Sequence, residues 1–385
     1  MKTQPISLAI DGNEANILNR VGSNVYAYEI IKAIYKLVNQ DQRFLVTVLL
    51  RQPPLAHLPA ENERWHYQVI GPRRLWVYWS LSKHLDANPN HYQVFYTPGH
   101  YVPLTAPMPV ISSIMDLGFL SYPRSFKFKD WLQLSLGTKW AVKKAARLVA
   151  ISQFTQQEIK RYYKIPLAKI VVAPAAPPAR IKLSPAKQNQ ICFHLGIDQP
   201  FFLYLGTLQP RKNLVNLIKA YEVFATNFVN AHHNSLVQLP QLVLAGKVGW
   251  LAEEILATIK HSKFAQKIIQ PGFITDQQKA ALYSKALANI LVSPYEGFGI
   301  PPLEGMQYGC LPIVANSSSL PEVIGLAGLK VDADSILELA EALNRIYKME
   351  QPERYRYQAL GRKQLKKFTW KQSAQTVLTT IQNLV

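Results

Sequence analysis

The chain has 385 residues, 48% of them hydrophobic, which is too long for one ordinary core and predicts a globular protein of two domains. Its two cysteines lie far apart and no histidine cluster accompanies them, so neither disulfides nor structural zinc are expected and a reducing compartment is indicated. The sequence shows no secretory signal and no apolar run long enough to span a bilayer, so an integral membrane protein is not expected. Lysine and arginine number 43 against 24 acidic residues, and the net charge of +19 favours nucleic acid, phosphorylated ligands or an acidic membrane as partners, with a merely solvated basic face as the alternative.

The first half of the chain alternates apolar runs with segments of helical spacing. Strands are predicted at 6–10, 44–50, 92–98, 109–116, 147–152 and 169–176, and helices at 24–38 and 154–164. This alternation predicts a parallel sheet with helices on both faces. The proline-rich stretch 174–200 is interpreted as a linker.

A second round of alternation follows the linker. Strands are predicted at 201–206, 241–246, 267–273, 289–294, 311–315 and 326–331, and helices at 214–228, 251–262, 277–286 and 335–347. The chain therefore reads as two doubly wound α/β halves. Ligands of such sheets bind outside the carboxyl ends of the strands.

Two carboxylates flank a glycine-rich turn in "SPYEGFGIPPLEGMQYGCLPIVA" (293–315). Glu296 follows a predicted strand, and a helix is predicted to begin at Pro301 or Pro302 and to end near Gly309. Glu304 would then lie in the first helical turn, where the helix dipole favours anions. The pair favours a ligand site. The alternative is that one acid complements the dipole and the other is a solvated turn residue.

Adjacent cations characterise "YLGTLQPRKNLVNLIKAY" (204–221). Arg211 and Lys212 follow a predicted strand and precede Asn213, a good N-cap residue. Such cations suit a diphosphate, with arginine as a bidentate fork and lysine as a point charge. Both side chains are expected to be exposed without ligand. The alternative is an ordinary exposed basic turn.

Together these stretches resemble the glycosyltransferase group 1 family of the family 4 type, retaining nucleotide-sugar transferases of the GT-B fold. The likeness covers nearly the whole chain, and the segments 150–177, 318–328 and 368–378 also resemble that family. It implies two Rossmann-like domains facing across a cleft, with a C-terminal helix crossing back to the first. Residues 1–185, completed by 366–385, would form the acceptor domain, and residues 186–365 the nucleotide-sugar donor domain.

The resemblance also implies a role for individual residues. Arg211 and Lys212 would hold the donor diphosphate, Glu296 would reach hydroxyls of the transferred sugar, and Glu304 would accept hydrogen bonds from the ribose. The remaining contacts are implied for Gly22 at the phosphates and acceptor, Gly206 and Thr207 at the donor, the backbone of Phe273 and Ile274 at the base, and the backbone N–H groups of Gly297, Phe298 and Gly299 at sugar and phosphate.

One position departs from the family pattern. Many relatives carry a His-Asp pair where this chain has Met115 and Asp116. The imidazole that would touch the sugar is therefore absent from this position. Asp116 is expected to orient the acceptor, and the alternative is that it caps the turn at the end of a strand. A retaining mechanism in which the departing phosphate takes the acceptor's proton remains open to such a chain.

The leading hypothesis is a metal-independent, retaining hexosyltransferase without a cofactor. It would move a sugar, with mannose as one candidate, from a nucleoside diphosphate to a sugar, lipid-linked or polysaccharide acceptor. Arg211 and Lys212 would replace a metal, since no Asp-x-Asp cluster is present. The alternatives are a non-catalytic nucleotide-sugar-binding protein of the same fold, and a nucleic-acid binder, which no motif supports.

A basic and aromatic segment at 121–150 suggests where such an enzyme would work. Its aromatic residues Phe126, Phe128, Trp131 and Trp140 are interleaved with lysines, namely Lys127, Lys129, Lys139, Lys143 and Lys144. The part 131–146 has helical spacing and is broadly apolar at Trp131, Leu132, Leu134, Leu136, Trp140 and Val142. One interpretation is a core-facing helix with a solvated lysine face. The other is an amphipathic site for an anionic membrane, which predicts a cytoplasmic protein peripheral to the inner face of the membrane.

Overall fold

The structure is a computed structural model that describes residues 4–20, 22–71, 75–232 and 237–385. It divides the chain into two compact units. The first comprises residues 1–175 and 368–385, and the second comprises residues 176–367. Each unit has its own parallel sheet with helices on both faces, which confirms the predicted doubly wound class.

The first unit contains a seven-stranded parallel sheet of order β3-β2-β1-β4-β5-β6-β7. Its strands are β1 (Ile6–Asp11), β2 (Phe44–Leu50), β3 (Trp65–Val69), β4 (Val94–Thr97), β5 (Val110–Ile114), β6 (Arg147–Ala150) and β7 (Ile170–Val172). Every residue of β4 and β5 is buried, including Ser112 and Ser113, as strands covered on both faces should be. The strand order reverses between β1 and β4, so the crevice expected to take ligands lies at their carboxyl ends.

The helices of the first unit pack on both faces of this sheet. They are α1 (Ser23–Val38), α2 (Ser82–Ala87), α3 (Gly118–Ser121), α4 (Phe128–Lys144), α5 (Gln153–Tyr163) and the C-terminal α14 (Trp370–Gln382), with a π-helical turn at Trp76–Leu81. The C-terminal helix belongs here because its Trp370 ring packs edge-on against Tyr26 of α1, with centroids 5.6 Å apart. The Tyr26 hydroxyl in turn donates to the carbonyl oxygen of Ala173 over 3.2 Å. The predicted return of the terminal helix to the first unit is thereby confirmed.

The second unit contains a six-stranded parallel sheet of order β10-β9-β8-β11-β12-β13. Its strands are β8 (Phe201–Leu205), β9 (Gln241–Ala245), β10 (Ile268–Gly272), β11 (Ala288–Leu291), β12 (Leu311–Ala315) and β13 (Leu329–Val331). The order reverses between β8 and β11. The loops after these two strands, which contain Arg211 and Glu296, therefore flank the crevice of this sheet.

Helices cover both faces of the second sheet as well. They are α6 (Pro185–His194), α7 (Leu214–His232), α8 (Glu253–His261), α9 (Asp276–Lys285), α10 (Ile300–Gln307), α11 (Leu320–Ile324), α12 (Ile336–Lys348) and α13 (Gln351–Leu365). The buried residues of α12, which include Leu339, Leu343 and Ile346, recur at helical spacing and so form one apolar face. No helix among the described residues combines the length and apolar character needed to cross a membrane.

The structure corrects three details of the sequence interpretation. Residues 185–194 of the supposed linker form α6, whose first turn is capped by the Ser184 hydroxyl accepting from Lys187 N over 3.3 Å. Strand β3 was not predicted, because only Trp65 among its five residues is buried and the apolar signal is weak. Helix α10 begins at Ile300, so Glu304 is its fifth residue and lies beyond the first turn.

Candidate functional site

Three charged side chains meet at the strand-order reversal of the second sheet. Arg211 and Lys212 lie in a single 3₁₀ turn, Pro210–Lys212, after β8, and Glu296 lies in the loop after β11. Lys212 Nζ donates to Glu296 Oε1, and Arg211 Nη1 lies 3.7 Å from Glu296 Oε2. The Arg211 guanidinium also donates to the Tyr295 carbonyl oxygen over 2.6 Å. The structure thus brings together residues that are 84 positions apart in the sequence.

These three groups are more buried than the sequence suggested. The side chains of Arg211 and Lys212 are 12% and 14% exposed, so the expectation that both are solvent-exposed without ligand is wrong. The physical reason is the carboxylate of Glu296, which gives both cations an internal partner. Burial alone would raise the pKa of Glu296, but the charges of Lys212 and Arg211 hold that pKa below its usual value. Glu296 is therefore ionised at neutral pH, and an incoming anion would compete with it for the two cations.

Asn213 connects the cationic turn to its surroundings. Its backbone is left-handed, with φ of 58°, and its side-chain amide donates to the carbonyl oxygens of Val292 and Ala333 over 3.2 and 2.6 Å. The Ser293 hydroxyl lies 2.7 Å from the Arg211 carbonyl oxygen and donates to it. The amide of Asn213 therefore joins the loops after β8, β11 and β13. This cross-linking role was not predicted, since the sequence indicated only a helix-capping residue.

The loop that carries Glu296 is held by two serines that follow β12. Glu296 N donates to Ser318 Oγ over 3.0 Å. The hydroxyl of the buried Ser319 lies 2.8 Å from the Glu296 carbonyl oxygen and 2.7 Å from that of Phe298. This clamp fixes the backbone of the loop at Glu296 and Phe298. The segment 318–328 resembles the family in sequence, but no contact of its serines was predicted.

The glycine turn after Glu296 is constrained by its packing. Phe298 is 2% exposed, so its ring belongs to the core and any ligand contact must come from the backbone. Gly299 has φ of 103°, and a Cβ at this position would lie 2.6 Å from Leu320 Cδ2. Glycine is required here for both conformation and space. Gly299 therefore lets the chain turn directly from the Glu296 loop into α10.

A second close approach lies at the ends of β8 and β9. A Cβ on Gly246 would lie 1.9 Å from the Gly206 carbonyl oxygen, and Gly206 N donates to Ala245 O over 2.9 Å. The Tyr204 hydroxyl donates to the Thr207 carbonyl oxygen over 2.9 Å, which fixes the Gly206-Thr207 turn beside the crevice. Gly206 and Thr207 were predicted at the donor, whereas the glycine that packs against them, Gly246, was not predicted.

Glu304 is buried on α10 and is held by two residues of α9. Lys279 Nζ donates to Glu304 Oε1 over 3.1 Å, and the Tyr283 hydroxyl donates to Oε2 over 2.9 Å. Lys279 also lies 3.3 Å from Asp276. Burial alone would lower the pKa of Lys279, but Glu304 and Asp276 hold it above its usual value. These groups border a cavity of about 60 Å³ that Tyr308 also lines.

Sequence analysis did not single out Lys279 and Tyr283. The two residues lie four positions apart in the helix predicted at 277–286, so they share one helix face, and this was the available signal.

The residues Phe273 and Ile274, which follow β10, were predicted to contact the base. Phe273 is 49% exposed with Lys247 Nζ 4.8 Å from its ring centroid, whereas the side chain of Ile274 is buried. Only Phe273 could therefore present a side chain to a ligand, although either residue could offer its backbone.

The predicted residues of the first unit lie at the carboxyl ends of its strands. Gly22 precedes α1 with φ of 54°, and its neighbour Val21 lies outside the described residues. Asp116 follows β5, and its Oδ1 accepts from Gly118 N over 2.9 Å, which is a turn-capping contact. Glu14, which sequence analysis did not single out, accepts from Ser23 Oγ over 3.4 Å and from Asn24 Nδ2 at the start of α1. Burial raises the pKa of Glu14.

The crevice of the second unit combines two cations with the carboxylate that pairs with them, and a second carboxylate lies beside a small cavity. Cations of this kind suit anionic groups, and carboxylates accept hydrogen bonds from hydroxyl groups. Within the described part of the chain, no group of three or more His, Cys, Asp or Glu side chains is placed to hold a metal ion.

The chain is similar to known proteins along most of its length. Residues 188–364 match the family described as "Glycosyl transferases group 1". The chain is 28% identical over 333 residues to O-antigen chain mannosyltransferase B of Escherichia coli, covering 85% of this chain and 79% of that protein. It is 33% identical over 112 residues to the GDP-mannose-dependent alpha-(1-6)-phosphatidylinositol dimannoside mannosyltransferase of Mycobacterium tuberculosis, covering 29% of this chain and 28% of that protein.

The fold has solved counterparts over its whole length. The structure of Anabaena Alr3699/HepE in complex with UDP-glucose superposes with a TM-score of 0.72 at 17% identity, covering 98% of this chain and 99% of that one. The predicted GT-B fold is confirmed by this likeness.

Proposed function

The chain is a glycosyltransferase of group 1, and we propose that it transfers mannose from GDP-mannose to a hydroxyl of a growing polysaccharide, with retention of configuration at the anomeric carbon. The observation that carries this proposal is the cluster of Arg211, Lys212 and Glu296 at the strand-order reversal of the second sheet. It offers two cations for a diphosphate and one carboxylate for sugar hydroxyls at a single point.

The choice of mannose and guanosine rests on the relatives. One is named an O-antigen chain mannosyltransferase, and another is named as GDP-mannose-dependent. The structure that holds UDP-glucose is only 17% identical, so its ligand carries no weight for the donor of this chain. These names also favour an enzyme over a non-catalytic binding protein with the same fold.

The proposed mechanism begins with an exchange of partners. The donor diphosphate takes Glu296's place beside Arg211 and Lys212, and the released carboxylate accepts hydrogen bonds from hydroxyls of the mannose. As the bond between the anomeric carbon and the phosphate oxygen breaks, negative charge grows on the leaving diphosphate. Fixed cations already aimed at this charge lower the barrier without reorganisation. We infer that they supply the neutralisation which a metal supplies in other transferases.

The acceptor proton needs a destination in this mechanism. We infer that the departing phosphate oxygen takes it, so that the acceptor oxygen bonds to the same face of the sugar from which the phosphate leaves. No side chain then acts as a nucleophile. Asp116 would orient the acceptor hydroxyl, and its neighbour Met115 would add no hydrogen bond from its side chain.

Glu304 would fix the nucleoside. Lys279 and Tyr283 already occupy one position on each carboxylate oxygen, but each oxygen can accept a further hydrogen bond. The ribose hydroxyls would take these remaining positions. The backbone of Phe273 and Ile274 would meet the base, and the backbone of Gly297, Phe298 and Gly299 would meet sugar and phosphate.

We assign the acceptor to the first domain (1–185 with 366–385) and the donor to the second domain (186–365). An acceptor on a lipid carrier would bring the first domain to a membrane. The exposed face of α4 supports this, since Phe128, Leu132 and Leu136 recur every four residues and are 74%, 39% and 61% exposed. Trp131 and Leu134 instead pack on the core, so the core-facing interpretation accounts for only part of the helix.

Lysines surround this exposed apolar stripe. Lys129, Lys139 and Lys143 are exposed on the same helix. Apolar side chains flanked by lysines suit an anionic lipid surface, where each cation contributes about 1 kcal/mol. We therefore propose that the protein is cytoplasmic and works at the inner face of the membrane.

A donor screen tests the proposed function. The protein is heated with GDP-mannose, GDP-fucose, UDP-glucose and UDP-N-acetylglucosamine, each at the same concentration, and release of the nucleotide is followed separately. GDP-mannose should give the largest rise in melting temperature, because a ligand at 100 times its dissociation constant adds about 2.7 kcal/mol. It should also be the donor turned over fastest. Preference for a uridine donor would overturn the proposed substrate, and loss of the shift in an Arg211→Ala variant would locate the binding.

A further inference from the structure

A histidine of the first unit, His100, is hydrogen-bonded to the turn that carries Asp116. His100 follows β4 in the sequence Pro98-Gly99-His100. Its Nε2 lies 3.2 Å from Met115 N, and its Nδ1 lies 3.4 Å from Thr138 Oγ1 on α4. The preceding residue is anchored too, because Ser112 Oγ donates to the Gly99 carbonyl oxygen over 2.9 Å. The imidazole therefore connects the ends of β4 and β5 to α4.

The hydrogen bonds fix the protonation of this imidazole. A backbone N–H can only donate, so Nε2 must accept from Met115 and carry no proton. The neutral ring then has its proton on Nδ1, directed at the Thr138 hydroxyl. Burial lowers the pKa of His100, whereas the negative charge of Asp116 acts in the opposite direction. The turn is thus held by a neutral histidine that accepts a hydrogen bond.

We propose that His100 is a positioning residue for Asp116. Its bond to Met115 N fixes the peptide on the N-terminal side of the aspartate, and the bond from Gly118 N fixes the carboxylate from the C-terminal side. An imidazole is thus present beside the aspartate although Met115 itself supplies none. This inference rests on the proposed role of Asp116 in orienting the acceptor, and it adds a residue that acts through that aspartate.

The alternative is a core histidine that stabilises the turn and has no bearing on transfer. The two cases differ in what they predict. A structural histidine would change the melting temperature and leave the transfer rate of folded protein intact. A positioning histidine would change the rate at saturating donor, because displacing a reacting group by about 1 Å can cost roughly 100-fold.

The first test compares His100→Gln with His100→Leu. Both side chains fill the space of the ring, but only glutamine offers an oxygen that can reach Met115 N. We expect His100→Leu to lower kcat of mannosyl transfer about 10- to 100-fold. We expect His100→Gln to stay within about threefold of the wild type, since the acceptor is retained. The dissociation constant for GDP, measured by calorimetry, should be unchanged in both variants. Equal activity of the two variants, whether both high or both low, would overturn the inference.

A double-mutant cycle separates this inference from the proposed function. In an Asp116→Asn background, His100→Leu should cause no further loss, because its effect passes through the aspartate. If the two losses multiply, His100 does not act through Asp116 and the inference fails. If Asp116→Asn alone keeps full activity, the proposed role of Asp116 fails instead.

Thr138→Val provides a second variant should His100→Leu not fold. It removes the hydroxyl that faces Nδ1 while conserving shape, and it should lower kcat a few-fold in the wild-type background and not at all in the Asp116→Asn background. A Thr138→Val variant with wild-type kcat would overturn the inference in that case.

Discussion

Replacing Glu296 with glutamine should separate donor binding from transfer. Glu296 is the internal counter-ion of Arg211 and Lys212, so its charge competes with the diphosphate for both cations. At 3.7 Å and an effective dielectric constant of about 20, one such charge pair is worth about 4 to 5 kcal/mol before desolvation. Desolvation of the buried groups cancels most of this, which leaves about 1 kcal/mol. Glu296→Gln should therefore bind GDP as tightly as the wild type or up to about 10-fold more tightly.

The same variant should transfer mannose poorly. The lost carboxylate is proposed to accept hydrogen bonds from the sugar, and removing one group of this kind typically costs about 100- to 1,000-fold in rate. Glu304→Gln should behave in the opposite way. A hydrogen bond to a charged group is worth about 1.5 to 3 kcal/mol, so its affinity for GDP should fall about 10- to 150-fold. Its transfer rate at saturating donor should change much less.

Calorimetric titration with GDP and initial rates with GDP-mannose decide between these expectations. Glu341→Gln, an exposed position on α12, is the matched control and should change neither quantity. Weaker GDP binding in Glu296→Gln, to the same extent as in Glu304→Gln, would refute the assigned division between the two acids.

Three further predictions concern charge. Arg211→Ala or Lys212→Ala should lower the transfer rate about 100- to 1,000-fold. Either change also leaves Glu296 short of a partner, so the free energy of unfolding in urea should fall by about 1 to 3 kcal/mol, whereas a Lys366→Ala control should not change it. Wild-type transfer rates in both variants would refute the donor assignment. Burial raises the pKa of Asp11 to about 6, so between about pH 4 and pH 6 the native state holds a proton that the unfolded state releases, and wild-type stability should fall as the pH rises through this range. Asp11→Asn should therefore be more stable than the wild type by about 1 to 3 kcal/mol at pH 7.5 and no more stable below pH 4. A stability difference that does not change with pH would contradict the raised pKa of Asp11. Flotation at low salt should show that the protein binds anionic vesicles and not neutral ones. Added salt and the double variant Lys143→Glu with Lys144→Glu should each weaken this binding, whereas the control pair Lys366→Glu with Lys367→Glu should not. Absence of binding to anionic vesicles would rule out the proposed membrane face.

The sequence predicted the fold well where the apolar signal was strong. Strands β4 and β5 are buried throughout and are rich in apolar residues, although β5 also contains Ser112 and Ser113. Strand β3 escaped prediction because most of its side chains face outward. Helix α6 escaped because prolines surround it and only Cys192 on it is buried, which leaves little helical periodicity.

The proximity of the charged residues was predictable from the sequence, but their pairing was not. Strand ends of a parallel sheet meet at one edge, so the sequence could place Arg211 and Glu296 near each other. It could not reveal that Glu296 pairs with both cations and draws them out of solvent, since this depends on side-chain geometry across distant loops. Lys279 was hidden for the same reason, because its partner Glu304 lies on another helix.

Retaining transfer of mannose from GDP-mannose can be tested through the anomeric configuration of the product. The protein is incubated with GDP-mannose carrying ¹³C at the anomeric carbon and with octyl α-mannoside as acceptor, and the one-bond carbon–proton coupling of the new linkage is read by NMR. We expect the donor to be consumed and the product to be α-linked, so that the configuration of the donor is retained. A β-linked product, or an intact donor under conditions in which another nucleotide sugar is consumed, would contradict it.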